Sequence, residues 1–271
     1  MQINAFSEIQ FDMWSYNVRE LVEQSASAVA FVEVQDTEGT ISVGTAFHIG
    51  SGYFATARHV IHGQKIRTIG RRDTSLRTHF TEAGKVIHTT TYPDFQHAEI
   101  ERVFDHPDEA VDLSLIKLGG IVGNVPAAQL LPILQLYSHA DSLSEGEYLM
   151  REVVVMGYPP IPFSSDCHLV VFRGEVSAII ENYQDKKRHF VISGMARGGF
   201  SGGPVVLAKN PNAVLGVVGK SFVKGASATE LGFIGAVSAG AIFETIASHN
   251  LSIKAIDLTL QGFMLPPNFT Q

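Results

Sequence analysis

A chain of 271 residues that is 45% apolar and 17% charged can bury a sizeable core, which excludes wholesale disorder. A formal net charge of −7 argues against nucleic acid as a partner, and the short basic clusters Arg71-Arg72 and Lys186-Lys187-Arg188 read as solvated turns. Cys167 is the single cysteine, so no intrachain disulfide forms; with no basic leader in residues 1–10 and no run near the roughly 18 apolar residues of a membrane span, we expect a cytoplasmic protein without a membrane partner.

Residues 11–28 place Phe11, Trp14, Val18, Leu21 and Val22 at helical spacing, which predicts an amphipathic helix packed over the first β unit. Short β-rich runs broken by Gly, Pro, Asp and Asn follow at 28–35, 44–49, 53–56, 86–91, 99–104 and 113–118. A second group lies at 152–156, 169–180, 190–193, 204–208, 214–218 and 232–237. Strands of this length and spacing predict an all-β sandwich or barrel. Between the groups, residues 119–147 carry prolines and glycines with little strand pattern, and residues 239–249 read as a helix. The expected organisation is a helical extension (1–27), a first β unit (28–120), a connection (121–147), a second β unit (148–238) and a C-terminal helix and tail (239–271).

Three segments carry chemistry. In Phe54-Ala55-Thr56-Ala57-Arg58-His59-Val60-Ile61 a strand ends in small residues and a histidine opens a short helical turn. In Val111-Asp112-Leu113-Ser114-Leu115-Ile116 an acid heads a strongly apolar strand, where its burial is costly unless it finds a donor. Alone, each of these reads as an ordinary structural feature. The third, Arg197-Gly198-Gly199-Phe200-Ser201-Gly202-Gly203-Pro204, is more specific: its glycines describe a tight loop that projects one hydroxyl and lets backbone N–H groups point at a common spot.

Together these segments resemble the histidine, aspartate and serine motifs of trypsin-like, chymotrypsin-fold serine peptidases, in the style of bacterial HtrA-like and stand-alone members. Val155-Met156-Gly157-Tyr158-Pro159, Gly174-Glu175-Val176-Ser177 and Leu215-Gly216-Val217-Val218-Gly219 are similar to further family segments, and the resemblance covers roughly residues 28–245. It implies two six-stranded antiparallel β-barrels, the first supplying His59 and Asp112 and the second Ser201. It further implies a serine endopeptidase acting on protein or peptide substrates, without cofactor or metal. Ser201 would be the nucleophile, His59 the general base and Asp112 the group that holds the histidine tautomer. The N–H groups of Gly199 and Ser201 would form the oxyanion hole. Met195, Gly219, Lys220 and Ser221 would line the substrate pocket, with walls from Gly232-Phe233-Ile234; with no acid at its base, it should favour a small to medium apolar residue. Arg58 departs from the family's usual alanine and is expected to face outward.

The resemblance also bears on activation. The position before the nucleophile, which in the digestive branch is an aspartate that pairs with a new N-terminus, is Phe200 here. The loop around Gly198 and Gly199 should then be ordered by Phe200 packing into the second barrel, or by a bound substrate or activating protein partner. Rival readings are weaker. Gly199-Phe200-Ser201-Gly202-Gly203 fits the nucleophile elbow of α/β-hydrolases, but that turn leads into a helix, whereas Pro204-Val205-Val206-Leu207 has a strand pattern. The histidines His59, His62, His79, His88, His97 and His106 lack the companions of a metal site. A catalytically silent domain that binds peptides or partners is the remaining alternative.

Overall fold

The structure, a computed structural model, describes residues 21–22, 25–71, 95–97, 99–122, 125–126, 132–137, 147–164, 166–194, 198–208, 213–223 and 230–253. The strand expected at 86–91, Met195, His79, His88 and all but the last part of the N-terminal helix lie outside them; Leu21 and Val22 are helical and Leu21 is buried. The first sheet contains β1 (Val29–Gln35), β2 (Ile41–Gly50), β3 (Tyr53–Thr56), β4 (Lys65–Arg71), β5 (Phe95–His97), β6 (Ile100–Asp105) and β7 (Ser114–Leu118), interrupted by the one-turn helix α1 (Arg58–Ile61). Its order is β5-β4-β1-β2-β3-β7-β6, with every pairing antiparallel. The connection forms β8 (Ile121–Val122), β9 (Val125–Pro126) and β10 (Gln135–Leu136).

The second sheet contains β11 (Glu152–Gly157), β12 (Val170–Glu181), β13 (Arg188–Ser193), β14 (Pro204–Leu207), β15 (Ala213–Val223) and β16 (Glu230–Ser238). These run β15-β14-β11-β12-β13-β16, and β16 pairs back to β15, so this barrel closes. The fold is thus a chymotrypsin-like double barrel, with the first unit a half-barrel among the described residues and β5 added at its edge. The connection touches both units: β10 joins β15 in parallel, and the Leu134 N–H donates to the His48 carbonyl.

Alternation explains why so many strands read as continuous apolar runs. Successive side chains of a strand point to opposite faces. In β1, Ala30, Val32 and Val34 fill the first barrel, whereas Val29 and Phe31 join a cluster between the two units. In β11, Val153 and Val155 fill the second barrel, and Val154 and Met156 face that same central cluster. In β14, Val205 and Leu207 point inward and Val206 points to the seam. Strands at the seam are buried on both faces, so both faces are largely apolar and a polar side chain there, such as Thr45, needs a hydrogen-bond partner.

Two misreadings share one cause. No strand was expected at β4, and Arg71 was read as part of a solvated turn. In β4 the residue pattern is basic and carries Gly70, which masks its strand character. Yet Arg71 is 2% exposed, and its Nη1 donates to the Ser27 carbonyl, which offsets part of the cost of removing a guanidinium from water. Lys187 is not merely solvated either, since its Nζ donates to Glu244 Oε2 at 2.6 Å. The α/β-hydrolase reading ends here, because Ser201 is followed by strand β14.

Helix α2 (Gly240–Ser248) closes the described chain. It packs Ala241, Ile242, Phe243 and Ile246 into the central cluster. It stops at Asn250, whose φ of 52° is left-handed, with Asn250 N–H bonded to the Ala247 carbonyl and Leu251 N–H to the Ile246 carbonyl. Glu244 on this helix accepts from Lys187 and from His106 Nε2, the latter at 3.2 Å. Burial alone would raise the Glu244 pKa, but the hydrogen bonds and positive charge from these partners pull it below its usual value. A carboxyl whose pKa is lower in the folded protein stabilises it at neutral pH, and that contribution disappears as pH falls through the carboxylate range. Thermal melts should therefore show Glu244→Gln less stable than wild type at pH 7, with the difference shrinking on acidification; a constant difference would contradict this.

Candidate active site

His59 stands on α1, directly after β3. Val60 and Ile61 of that turn are buried in the first barrel, which leaves His59 facing out with 38% of its side chain exposed. Val60 lies over Gly44, where a Cβ would come within 2.4 Å of its methyl group, so the small residue in β2 lets α1 sit close. The histidine is held twice by one carboxylate. Its backbone N–H donates to Asp112 Oδ1 at 2.9 Å, and its ring Nδ1 lies 2.6 Å from Asp112 Oδ2. An ionised carboxylate can only accept, so Nδ1 carries the proton and Nε2 is left as the acceptor.

Asp112 sits at the end of a loop that folds on itself. The Asp108 N–H donates to His106 Nδ1 at 3.0 Å, Ala110 N–H to Asp108 Oδ1 at 2.9 Å, and Val111 N–H to the Asp108 carbonyl at 3.1 Å. Val111 and Leu113 are fully buried on either side, and between them the aspartate projects toward His59. Arg58 completes the arrangement, contrary to the expectation that it faces outward. Its side chain is 15% exposed, its Nη1 donates to the Glu109 carbonyl at 3.2 Å, and its Nη2 lies 3.9 Å from Asp105 Oδ2. The backbone carbonyl of an adjacent turn offers an acceptor close to α1, and the long side chain bends to reach it. Consecutive residues of α1 therefore grip the same loop.

Ser201 follows a residue that anchors its loop. Phe200 is 4% exposed, packs into the second barrel, and meets Phe172 edge-on at 5.2 Å between ring centroids. Gly202 N–H donates to the Val218 carbonyl at 2.8 Å, and Val218 N–H to the Gly203 carbonyl at 2.9 Å, which ties the loop to β15. Two glycines are obligatory here. Gly199 has φ 99° and lies so close to Tyr158 that a Cβ would come 2.4 Å from its carbonyl oxygen. Gly202 has φ 85°, and a Cβ there would come 2.1 Å from the Thr45 carbonyl oxygen. Among the described residues, no group accepts the N–H of Gly199 or of Ser201.

Ser201 and Asp112 both reach the neighbourhood of Gly219. Ser201 Oγ donates to the Gly219 carbonyl at 3.3 Å, and a Cβ at Gly219 would lie 3.6 Å from Asp112 Oδ2. No hydrogen bond joins Ser201 to His59 among the described residues. Lys220 and Ser221 continue β15 beyond Gly219, and Ser221 pairs with Ile234 of β16, so the backbone walls expected of a pocket are adjacent. Sequence reasoning missed Thr45, a fully buried residue of β2 that hydrogen-bonds across the seam to the Ser201 loop. Its signal was a hydroxyl inside an otherwise small and apolar stretch, Gly44-Thr45-Ala46-Phe47.

A family profile described as "Trypsin-like peptidase domain" matches residues 44–217, more than half of the chain. A comparison with curated proteins finds no match. Among solved structures, the active form of a protease from M. tuberculosis is similar at 18% identity and a TM-score of 0.58, covering 89% of this chain and 87% of that one. The HtrA-type protease AlgW with a tripeptide shares 20% identity at a TM-score of 0.56, covering 86% of this chain and 64% of that one. A serine endoprotease from Yersinia pestis shares 17% at 0.54, covering 85% and 65%. This chain thus spans under two thirds of the AlgW and Yersinia chains. At such identities the structural likeness speaks for the fold, and the profile match speaks for descent. The chain belongs to the trypsin-like peptidase family.

Proposed function

We propose that this protein is a serine endopeptidase that cleaves protein or peptide substrates through an acyl-enzyme intermediate. The observation that carries this reading is the double hydrogen bond from His59 to Asp112, which leaves Nε2 as the only ring nitrogen able to take a proton. Ser201 Oγ attacks the scissile carbonyl as its proton passes to His59 Nε2, and Asp112 stabilises the imidazolium. The negative charge that develops on the carbonyl oxygen is taken up by the unengaged N–H groups of Gly199 and Ser201. His59 then donates its proton to the leaving amine, and water, deprotonated by the same nitrogen, releases the acyl group.

Before attack the Ser201 hydroxyl must leave the Gly219 carbonyl. At 3.3 Å that bond is longer than the roughly 2.7–2.8 Å usual for a hydroxyl donor, so its loss costs little. We take the preferred residue before the scissile bond to be uncharged and apolar, since Met195 stands where the family sets the pocket base. The single Cys167 supports a reducing compartment as the setting. The competing role, a silent peptide-binding domain, leaves the paired His59 and Asp112 without a task.

Labelling with a fluorophosphonate, together with cleavage profiling of a peptide library, tests the proposal. Wild type should label at Ser201 and cleave, whereas Ser201→Ala and His59→Ala should each lose at least about 10⁴-fold in kcat/KM while melting near wild type. Asp112→Asn should lose on the order of 10³–10⁴-fold through the wrong histidine tautomer. Cleavage retained by Ser201→Ala would refute the mechanism, and peptide binding without labelling or cleavage would favour the silent domain. Because Phe200 is packed in the second barrel, Phe200→Asp should destabilise the fold by about 3 kcal/mol or more and depress labelling, read by thermal melt and label uptake.

A further inference from the structure

Thr45 uses every polar atom it has, and three of its hydrogen bonds reach across the seam. Its backbone N–H donates to the Ser201 carbonyl at 2.9 Å, and its Oγ1 donates to the Gly199 carbonyl at 2.6 Å. The same hydroxyl oxygen accepts the Tyr158 N–H at 2.9 Å, and its carbonyl accepts from Thr56 Oγ1 at 2.7 Å. The residue is 0% exposed, so none of these bonds competes with water. One side chain of the first sheet thereby links the end of β11 to the loop that carries the nucleophile.

The peptide units around Phe200 show what this link controls. An oxyanion hole fails if one of its peptides turns to present a carbonyl in place of an N–H. In a trans peptide the N–H points opposite to the carbonyl. Gly203 N–H holds the Phe200 carbonyl at 2.9 Å, which aims the Ser201 N–H the other way. The next unit, between Gly199 and Phe200, is held among the described residues by Thr45 Oγ1 alone. The unit between Gly198 and Gly199 has no such restraint among the described residues, and its hinge is Gly199 at φ 99°. Without the Thr45 hydroxyl, two adjacent units at a glycine hinge would be free to turn, and the Gly199 carbonyl would be a buried acceptor without a donor.

We propose that Thr45 is a positioning residue: from the first barrel, its hydroxyl fixes the Gly199–Phe200 peptide, the unit between the two that carry the Gly199 and Ser201 N–H groups, and so orders the oxyanion loop before substrate arrives. This rests on the peptidase reading above. The role belongs to the hydroxyl, because serine supplies the same donor and acceptor and valine matches the shape without them. A loop that orders only on substrate binding slows the chemical step more than it weakens ground-state binding.

The test uses the full chain with a peptide substrate, a fluorophosphonate, and a peptide aldehyde that forms a tetrahedral adduct. Thr45→Val should lower kcat about 10- to 100-fold, with KM within about threefold of wild type and aldehyde affinity falling by about the same factor as kcat/KM. Thr45→Ser should stay within about threefold of wild type in all three. If Thr45→Val fails to fold, Thr45→Ala carries the same expectation. The proposal is overturned if the hydroxyl-free variant keeps its kcat, if its loss lies wholly in KM, or if Thr45→Ser is impaired equally. A wild type that neither labels nor cleaves sinks the peptidase reading instead, and this inference with it.

Discussion

His59 and Asp112 ride on one sheet and Ser201 on the other, so the apolar seam between the sheets governs every distance in the site. That seam is built from strands buried on both faces: Phe31, Phe47, Leu115, Val154, Met156 and Val206 meet there. Packing of this density transmits displacement rather than absorbing it. A shift of one barrel against the other would move the serine relative to the histidine by the same amount. Polar links across the seam cluster at Thr45, where the first sheet touches the Ser201 loop. Apolar burial supplies the adhesion, and these hydrogen bonds fix the register.

The loop bearing Asp112 is constrained in a different way. It is not part of a ladder, so it depends on contacts from three directions. Arg58 reaches it from α1, and His106 reaches out from it to Glu244 on α2. His249, at the end of α2, lies 2.8 Å through its Nε2 from the Asp105 carbonyl and stacks edge-on against Phe104. The C-terminal helix thus does more than cover apolar surface. Through Glu244 it also holds Lys187 from the turn between β12 and β13, so one carboxylate joins the aspartate loop to the second barrel. Its depressed pKa keeps that junction charged well into mildly acidic conditions.

Much of this was legible because the responsible residues are rigidly typed. A left-handed turn packed against backbone admits only glycine, so Gly199 and Gly202 mark the loop wherever they occur. Strands at the seam are apolar on both faces, and β3, β11 and β14 were read within about a residue of their observed ends for that reason. What escaped were residues whose type does not reveal their environment. Arg58 and Arg71 look like surface cations, yet each bends its side chain to a backbone carbonyl that sequence alone does not place. Strand β4 alternates basic and apolar residues and was passed over, and the short β10 takes its identity from a parallel partner far along the chain. Thr45 fits the same pattern, since a buried hydroxyl has meaning only through the carbonyls it meets.

The resting geometry also narrows where control of activity can act. His59 is held at two points by Asp112, through its backbone N–H and its ring Nδ1, and the Ser201 N–H is aimed by the Gly203 bond behind it. Phe200 occupies the core as a hydrophobic anchor and ties this part of the loop to the second barrel. Two adjustments remain for a substrate to make. In the proposed mechanism the serine hydroxyl swings from the Gly219 carbonyl toward His59, and the peptide between Gly198 and Gly199 presents its N–H to the substrate carbonyl. The first is a single side-chain rotation against a weak bond and is fast on any catalytic timescale. The second involves the Gly199 hinge, which packs against Tyr158 and Pro159 two residues before the serine. Under the proposed mechanism, a substrate that displaces the hydroxyl from Gly219 acts on the same loop as this hinge, which couples recognition to completion of the site.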